Sequence, residues 1–304
     1  MSHKNRDWSK YNKSLVNRGS ITFWIDKQSL KAWKAKKQKG KLGRPFKYSD
    51  SAITLAATTR YVFKLGLRAC EGFLKSLFSL LKVDLDVPCY TQISKRMKQI
   101  ALPTHLQSGK PVKHIVLDAT GLKVFGEGEW KVKKHGPGKR RQWKKLHLAV
   151  DEETQEVLFV DLTKEYDSDT KFIPEIVKER KGLKRILMDG AADTFRLYRL
   201  LWEQGIDLLT PPQKNARKCN KPWLESRNDR LLEILGLGGD KIARSLWGKL
   251  SGYSKRATVE SAIARWKKLF GQHLQSRDPE NQRLEVILKS QIMNKMKSLE
   301  TGIE

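Results

Sequence analysis

A chain of 304 residues has room for one large domain or two ordinary ones, and its three scattered cysteines, with no CxxC pair, exclude a disulfide framework and a thiolate zinc site. The opening MSHKNRDWSK has no apolar run of a secretory signal, and no stretch nears the roughly 18 apolar residues of a membrane helix, so a soluble, cytoplasmic protein without a membrane partner is expected. Sixty-one Lys and Arg against 33 Asp and Glu leave a net charge of +28, a field that draws polyanions, nucleic acid foremost.

Residues 1–48 read as a basic amino-terminal arm with the Lys-dense run LKAWKAKKQKGKLGRP. Charge alone leaves two readings open for it, an arm along phosphates or a solvated linker. Residues 49–101 turn helical. Ser49 or Asp50 can cap a helix with apolar positions at Ile53, Leu55, Ala56 and Val62. The spacing predicts a second helix over 67–81 and a short third over 90–98, whose outer face is expected to offer Gln92, Lys95, Arg96 and Lys98. That order suits a helix-turn-helix entering the major groove. An ordinary three-helix bundle with basic faces fits the same pattern.

Residues 102–113 read as a linker with Pro103, Gly109 and Pro111. From residue 114 the texture changes. HIVLDAT, WKKLHLAVD and VLFVDLT are three strands in a row, and RILMDG and IDLLTPP are two more, separated by helices over 171–180 and 194–204. A meander followed by crossovers implies an α/β domain with a mixed sheet flanked by helices. Asp193 and Thr194 are expected to cap the helix that follows them. A polar stretch over 213–252 intervenes, in which Gly236, Gly238 and Gly239 read as a turn because no Gly-Lys-Ser/Thr ends them. Ser254 is expected to cap a long amphipathic helix, and a last helix runs from about 281 to 299, where Leu284, Ile287, Leu288, Ile292 and Met296 read as core packing.

Asp118 and Asp189 end two strands that can be central neighbours, so both acids can emerge at one sheet edge, where ligands of open α/β sheets bind. At about 100° per residue, Arg256, Glu260 and Lys267 share one narrow arc of the following helix, beside a docking face of Val259, Ile263, Trp266 and Phe270. Three carboxylates suit Mg2+, a hard cation that takes oxygen ligands. The same residues also suit plain turn caps and an i,i+4 ion pair. The run 131–147 holds eight Lys and Arg and no acid. As a hairpin beside the first acid, Lys133, Lys134, Arg140 and Arg141 with Trp143 make a phosphate track with a stacking surface; a flexible basic loop is the alternative.

The run Tyr253-x-x-Arg256-x-x-x-Glu260-x-x-x-x-x-x-Lys267 resembles the Tyr-Arg-Glu-Lys signature of bacterial insertion-sequence transposases of the DDE type. DATGLKVFGEGEWKVKKHG from Asp118 is similar to the first-acid block of the insertion-sequence-five family, and MDGAADT (188–194) to its second. RGSITFW, GRPFKYSD and FGQHLQSRD extend the resemblance over most of the chain. It implies a ribonuclease-H-like catalytic domain over 114–299, with the insertion at about 213–252 and a tail at 300–304. It implies that Asp118, Asp189 and Glu260 hold two Mg2+ ions, with Mn2+ as a substitute, and that Tyr253, Arg256 and Lys267 contact the transposon end. Partners implied are double-stranded DNA, as terminal inverted repeats and target, and further copies of the chain. The place implied is the bacterial cytoplasm, in association with the nucleoid.

One position departs from the family pattern: Ala192 stands where the second block usually has tyrosine, although the acid is kept. The expected activity is metal-dependent strand cleavage and transfer of 3′-OH ends to target DNA. Its rivals are a decayed copy acting as a DNA-binding regulator and a nuclease acting on RNA–DNA hybrids.

Overall fold

In the computed structural model, which describes residues 7–36, 45–124 and 143–301, the chain divides into two units, residues 1–103 with 275–304 and residues 104–274. The first is helical: α1 (Trp8–Asn17), α2 (Ile21–Trp24), α3 (Lys27–Lys31), α4 (Asp50–Val62), α5 (Leu67–Leu80) and α6 (Tyr90–Met97). The second holds β1 (His114–Val124), β2 (Trp143–Asp151), β3 (Val157–Lys164), α7 (Ile173–Glu179), β4 (Arg185–Leu187), α8 (Phe195–Trp202) and β5 (Asp207–Leu209). It continues through α9 (Glu225–Gly236), α10 (Lys241–Leu250), α11 (Ala257–Phe270) and β6 (His273–Leu274), and α12 (Pro279–Thr301) returns to the helical unit.

In the helical unit Ser49 caps α4 by accepting the Ala52 amide at 3.1 Å, and Ala52, Ile53, Leu55 and Ala56 form the buried stripe behind it. Cys70, Leu74, Leu77 and Phe78 do the same for α5, and Leu284, Ile287, Leu288, Ile292 and Met296 for α12. Within residues 1–48 the described part is folded rather than a solvated linker. It carries α1–α3 and buries Trp24 and Trp33, with the Trp33 indole donating to the Asp86 carbonyl at 2.7 Å. Large aromatic bodies outweigh the neighbouring lysines, whose heads reach solvent from the same segment. The densest basic run, 37–44, lies outside the described residues.

The sheet order is β3-β2-β1-β4-β5, with β6 pairing the far end of β1. β1–β2–β3 is the expected antiparallel meander, and β4, β5 and β6 join in parallel. The two-residue β6 was not anticipated. Alternation along the strands decides what each face meets. Ile115, Leu117, Ala149 and Phe159 face a core completed by Ile173, Ile176, Leu197 and Leu201 from α7 and α8. Val116, Asp118 and Thr120 point to the other face, where α11 lies against β1 and β2 with Val259, Ala262 and Trp266 buried. The chain is thus a mixed α/β protein with a six-stranded mixed sheet flanked by helices.

The polar stretch 213–252 forms a helical hairpin, α9 and α10, turned at Gly238 (φ +114°) and Gly239 (φ +73°). Its helices escape a hydrophobicity reading because the buried side of α9 includes Arg227, Asn228 and Arg230 beside Leu231 and Ile234.

Candidate active site

β1 and β4 are hydrogen-bonded neighbours with Val116 opposite Leu187. Asp118 lies inside β1 rather than at a strand end as expected, because β1 continues to Val124, and it points to the face that α11 covers. Asp189 comes just past the end of β4, near enough for its carboxylate to act on Asp118. Each acid first serves the backbone beside it, Asp118 within strand β1 and Asp189 as the cap of the turn 190–192. Asp118 Oδ1 accepts the Ala119 amide at 2.8 Å, and Asp189 Oδ1 accepts the Ala191 amide at 3.1 Å. Thr210 Oγ1 donates to the Asp189 carbonyl at 2.5 Å, tying this loop to the end of β5. A local backbone role and a site role therefore coexist, since the backbone amide engages one oxygen of each carboxylate.

The other face of the site comes from the approach to α11. Gly252 takes a left-handed conformation (φ +78°), after which 253–256 form a single tight turn, so α11 begins at Ala257 rather than at a Ser254 cap. Arg256, at that junction, spans the site: one guanidinium nitrogen lies 3.2 Å from Asp118 Oδ2, and the other pairs with Glu260 one turn along. Lys267 Nζ donates to Thr120 Oγ1 at 2.6 Å. Tyr253 leans on the Trp247 ring of α10, centroids 5.6 Å apart, with the Gly248 backbone beside it.

Electrostatics tie these groups into one neighbourhood. Burial pushes the Asp118 carboxyl up; the Ala119 amide and Arg256 pull it down, and the nearby carboxylates of Asp189 and Asp169 push it up again. Burial also pushes the Tyr253 phenol up to about 12; Arg256 pulls it down, and Asp189, Asp118 and Glu260 push it further up. Tyr253 is therefore an O–H donor throughout the neutral range. Among the described residues, no three His, Cys, Asp or Glu side chains converge closely enough to hold one ion, and Arg256 stands between Asp118 and Glu260. The donor set is nonetheless all carboxylate oxygen, which fits a hard divalent cation, and the Asp118–Asp189 pair crowds negative charge that such a cation would relieve.

The remaining sequence candidates are dispersed. Arg96 is not on the outer face of α6. It is buried, stacks 3.7 Å from the Phe46 ring centroid, and donates to Asp50 Oδ1 at 2.5 Å and the Tyr48 carbonyl at 2.9 Å. Arg96→Ala is thus expected to destabilise the fold by about 2–3 kcal/mol, since hydrogen bonds of a charged group are lost and Asp50 loses its partner. Urea denaturation measures this, and a variant as stable as the parent would contradict it. Gln92 turns back to accept the Cys89 amide at 3.2 Å and start its own helix. Lys95 is exposed beside a cleft of about 550 Å³ that Arg68 and Tyr90 also line. Trp143 opens β2, its ring against Gly121 and under Lys123 Nζ at 5.6 Å. Lys133, Lys134, Arg140 and Arg141 lie outside the described residues.

Several contributors escaped the sequence reading. Asp193 does not cap α8. Its buried carboxylate is held by Arg227 of α9 at 2.7 and 3.3 Å and by the Gln213 amide at 2.8 Å. That ion pair clamps the hairpin to the loop carrying Asp189. Asp169, on the far side of Asp118's surroundings, is anchored by Lys145 Nζ at 2.7 Å, and His147 Nδ1 lies 3.5 Å from it. Burial lowers the His147 imidazole, whose Nε2 is 2.7 Å from Thr163 Oγ1, which makes it a neutral packing group. A lone Asp in a turn and a lone His in a strand carry no signal for such a pairing.

Ala192 is 1% exposed and packs in the core with Ile186, Met188 and Leu197. Ala192→Tyr, which restores the usual family residue, is therefore expected to overpack and cost about 1–3 kcal/mol. A rise in thermal midpoint on that substitution would show a space for the ring that the packing does not suggest.

No helix of the described residues is long and apolar enough to cross a membrane. Two family models, each described as a transposase DDE domain, match the chain, one over residues 16–127 and one over residues 110–294. The second spans more than half of the sequence and includes Asp118, Asp189 and Glu260. The chain belongs to the transposases of the DDE-domain family.

Proposed function

We propose that this transposase is of the insertion-sequence-five type, that Asp118, Asp189 and Glu260 are its three acids, and that it cuts DNA at terminal inverted repeats and joins the freed 3′-OH ends to target DNA. The observation that supports the reading is the shared neighbourhood of Asp118, Asp189, Tyr253, Arg256 and Glu260, with Lys267 bound to Thr120 two residues along from Asp118. The family generally uses divalent metal ions, and Mg2+, or Mn2+ in its place, held by the three carboxylates supplies Lewis-acid stabilisation at a phosphate.

The chain's own residues do the rest. Arg256 can exchange its two carboxylates for a DNA phosphate, which takes bidentate guanidinium contacts well. That exchange would also release Glu260 toward the two aspartates. Lys267, fixed by Thr120, adds a second cation along the same face, and the Tyr253 hydroxyl supplies a neutral donor. In the cleavage step a water oxygen bonds to phosphorus as the 3′-oxygen leaves as a 3′-OH. In transfer that 3′-OH attacks a target phosphodiester and displaces its own 3′-oxygen, so no bond to the protein forms. The helical region 49–101, with a helix-turn-helix over α5 and α6, is assigned to end binding through Gln92 and Lys95. The basic residues Lys133, Lys134, Arg140 and Arg141 with Trp143 are assigned to the backbone of the same DNA. The protein works as a homo-oligomer on DNA, in association with the bacterial nucleoid.

The test is cleavage of a labelled duplex ending in the element's own terminal repeat, in magnesium and in manganese, beside an RNA–DNA hybrid of the same sequence. Nicking at the repeat boundary is expected. Cutting of the hybrid alone would make the protein a hybrid nuclease, and specific binding with no cut in either metal would make it a regulator.

A further inference from the structure

The α9–α10 hairpin carries an unusual surface. Of fifteen large apolar side chains exposed among the described residues, six lie in this one hairpin: Leu232, Leu235, Leu237, Ile242, Leu246 and Leu250, between 39% and 76% exposed. Ile242, Leu246 and Leu250 recur every four residues, which makes one stripe along α10. Leu235 lies against the Gly239 turn, so the apolar residues of α9 continue toward that stripe. Such a concentration on one hairpin differs from apolar residues scattered singly over a surface, and clustered exposure of this kind marks an interaction site.

The charges around it select the occupant. The exposed charged residues within α9 are all acidic, Glu225, Asp229 and Glu233; within α10 they are both basic, Lys241 and Lys249. In a chain of +28, an acidic, apolar helix repels nucleic acid rather than binding it. A helix pair with acids on one member and bases on the other is complementary to itself, which is what a two-fold interface needs. The hairpin is also firmly seated: Arg227 is bound to Asp193, and Arg230 to Asp207.

We propose that the α9–α10 hairpin is the surface through which two copies of this chain pair about a two-fold axis, with α9 of one copy on α10 of the other. It rests on the reading of the protein as one that works in several copies, and assigns the surface that joins them. None of these six apolar residues belongs to the proposed catalytic or DNA-binding set.

The test is sedimentation equilibrium of the full chain without DNA, over a wide concentration range. The parent is expected to dimerise, and the double variant Ile242→Glu, Leu246→Glu to remain monomeric with an unchanged circular dichroism spectrum. Asp229→Lys is expected to weaken the dimer about tenfold, and adding Lys249→Glu in the same chain to recover most of that loss. A monomeric parent, a dimer indifferent to the apolar variants, or a reversal without recovery would each overturn the proposal. So would parent chains that associate only with a different protein. End cleavage assayed separately keeps the outcomes apart: a monomer that still cuts ends overturns the pairing surface alone, and a dimer that cuts nothing overturns the enzymatic reading alone.

Discussion

Arg227→Ala is expected to destabilise the sheet-bearing unit by about 3–5 kcal/mol, because it strands a buried carboxylate. Asp193 is 1% exposed at its side chain, and Arg227 supplies two of its three hydrogen bonds. In a unit of this size such a loss lowers the thermal midpoint on the order of 10 °C. Replacing both partners together, Asp193→Leu with Arg227→Met, is expected to recover much of the loss, since paired apolar groups carry no desolvation cost. Denaturant titrations of the two variants measure both effects; an Arg227→Ala protein within 1 kcal/mol of the parent would contradict the burial of this pair. The substitution also frees the loop that begins at Asp189, so cleavage is expected to fall along with stability.

Asp118→Asn is expected to reduce single-turnover strand cleavage by roughly three orders of magnitude or more, the rate equivalent of several kcal/mol of lost charge stabilisation. The fold is expected to survive. The asparagine carbonyl oxygen can still accept the Ala119 amide, and the charge it removes is one that burial already disfavours. The sign follows from the raised carboxyl. A group raised above its unfolded value contributes stability below the unfolded value and loses it as pH climbs through the folded one. At neutral pH the substitution therefore leaves stability level or slightly improved. A variant that unfolds, or one that cleaves at the parent's rate, would each contradict this account of Asp118.

The parts of this architecture that announce themselves in sequence are those with a clean period. The meander over β1–β3 reads as short apolar runs divided by polar turns, and α4, α5 and α12 show apolar stripes at three- and four-residue spacing. Asp118 and Asp189 are conspicuous because an acid ends an apolar run, and the topology then needs only β1 and β4 to be neighbours, as they are. What stays hidden is held by polar partners distant in sequence. The hairpin α9–α10 buries arginines against Asp193 and Asp207, so it reads as a polar stretch. Asp193 looks like a helix cap, since nothing local tells an i,i+3 cap from an ion pair 34 residues away. Trp24 and Trp33 bring a lysine-rich segment into the core against its charge. In α12, Glu285 and Lys289 are both fully buried and paired, with the Gln275 and Ser276 amides completing the carboxylate, an arrangement opposite to the usual surface i,i+4 pair.

The arrangement around Arg256 has a consequence for the proposed reaction. By spanning Asp118 and Glu260 the guanidinium offsets charge that would otherwise repel across the site. Under the proposed function, a phosphate arriving there would compete for the same nitrogens, and the carboxylates it displaced would become available together. The proposal thereby couples end binding and assembly of the acid cluster through a single side chain.

The most direct measurement is iron-mediated scission of the protein backbone, with Fe2+ replacing Mg2+ and peroxide generating radicals at the bound ion. The account predicts cuts beside residues 118, 189 and 260, brought out by duplex DNA, suppressed by excess Mg2+ and lost in Asp118→Asn. Cuts confined to other segments, or a pattern that Asp118→Asn leaves unchanged, would contradict the assignment of these three carboxylates to one metal-binding site.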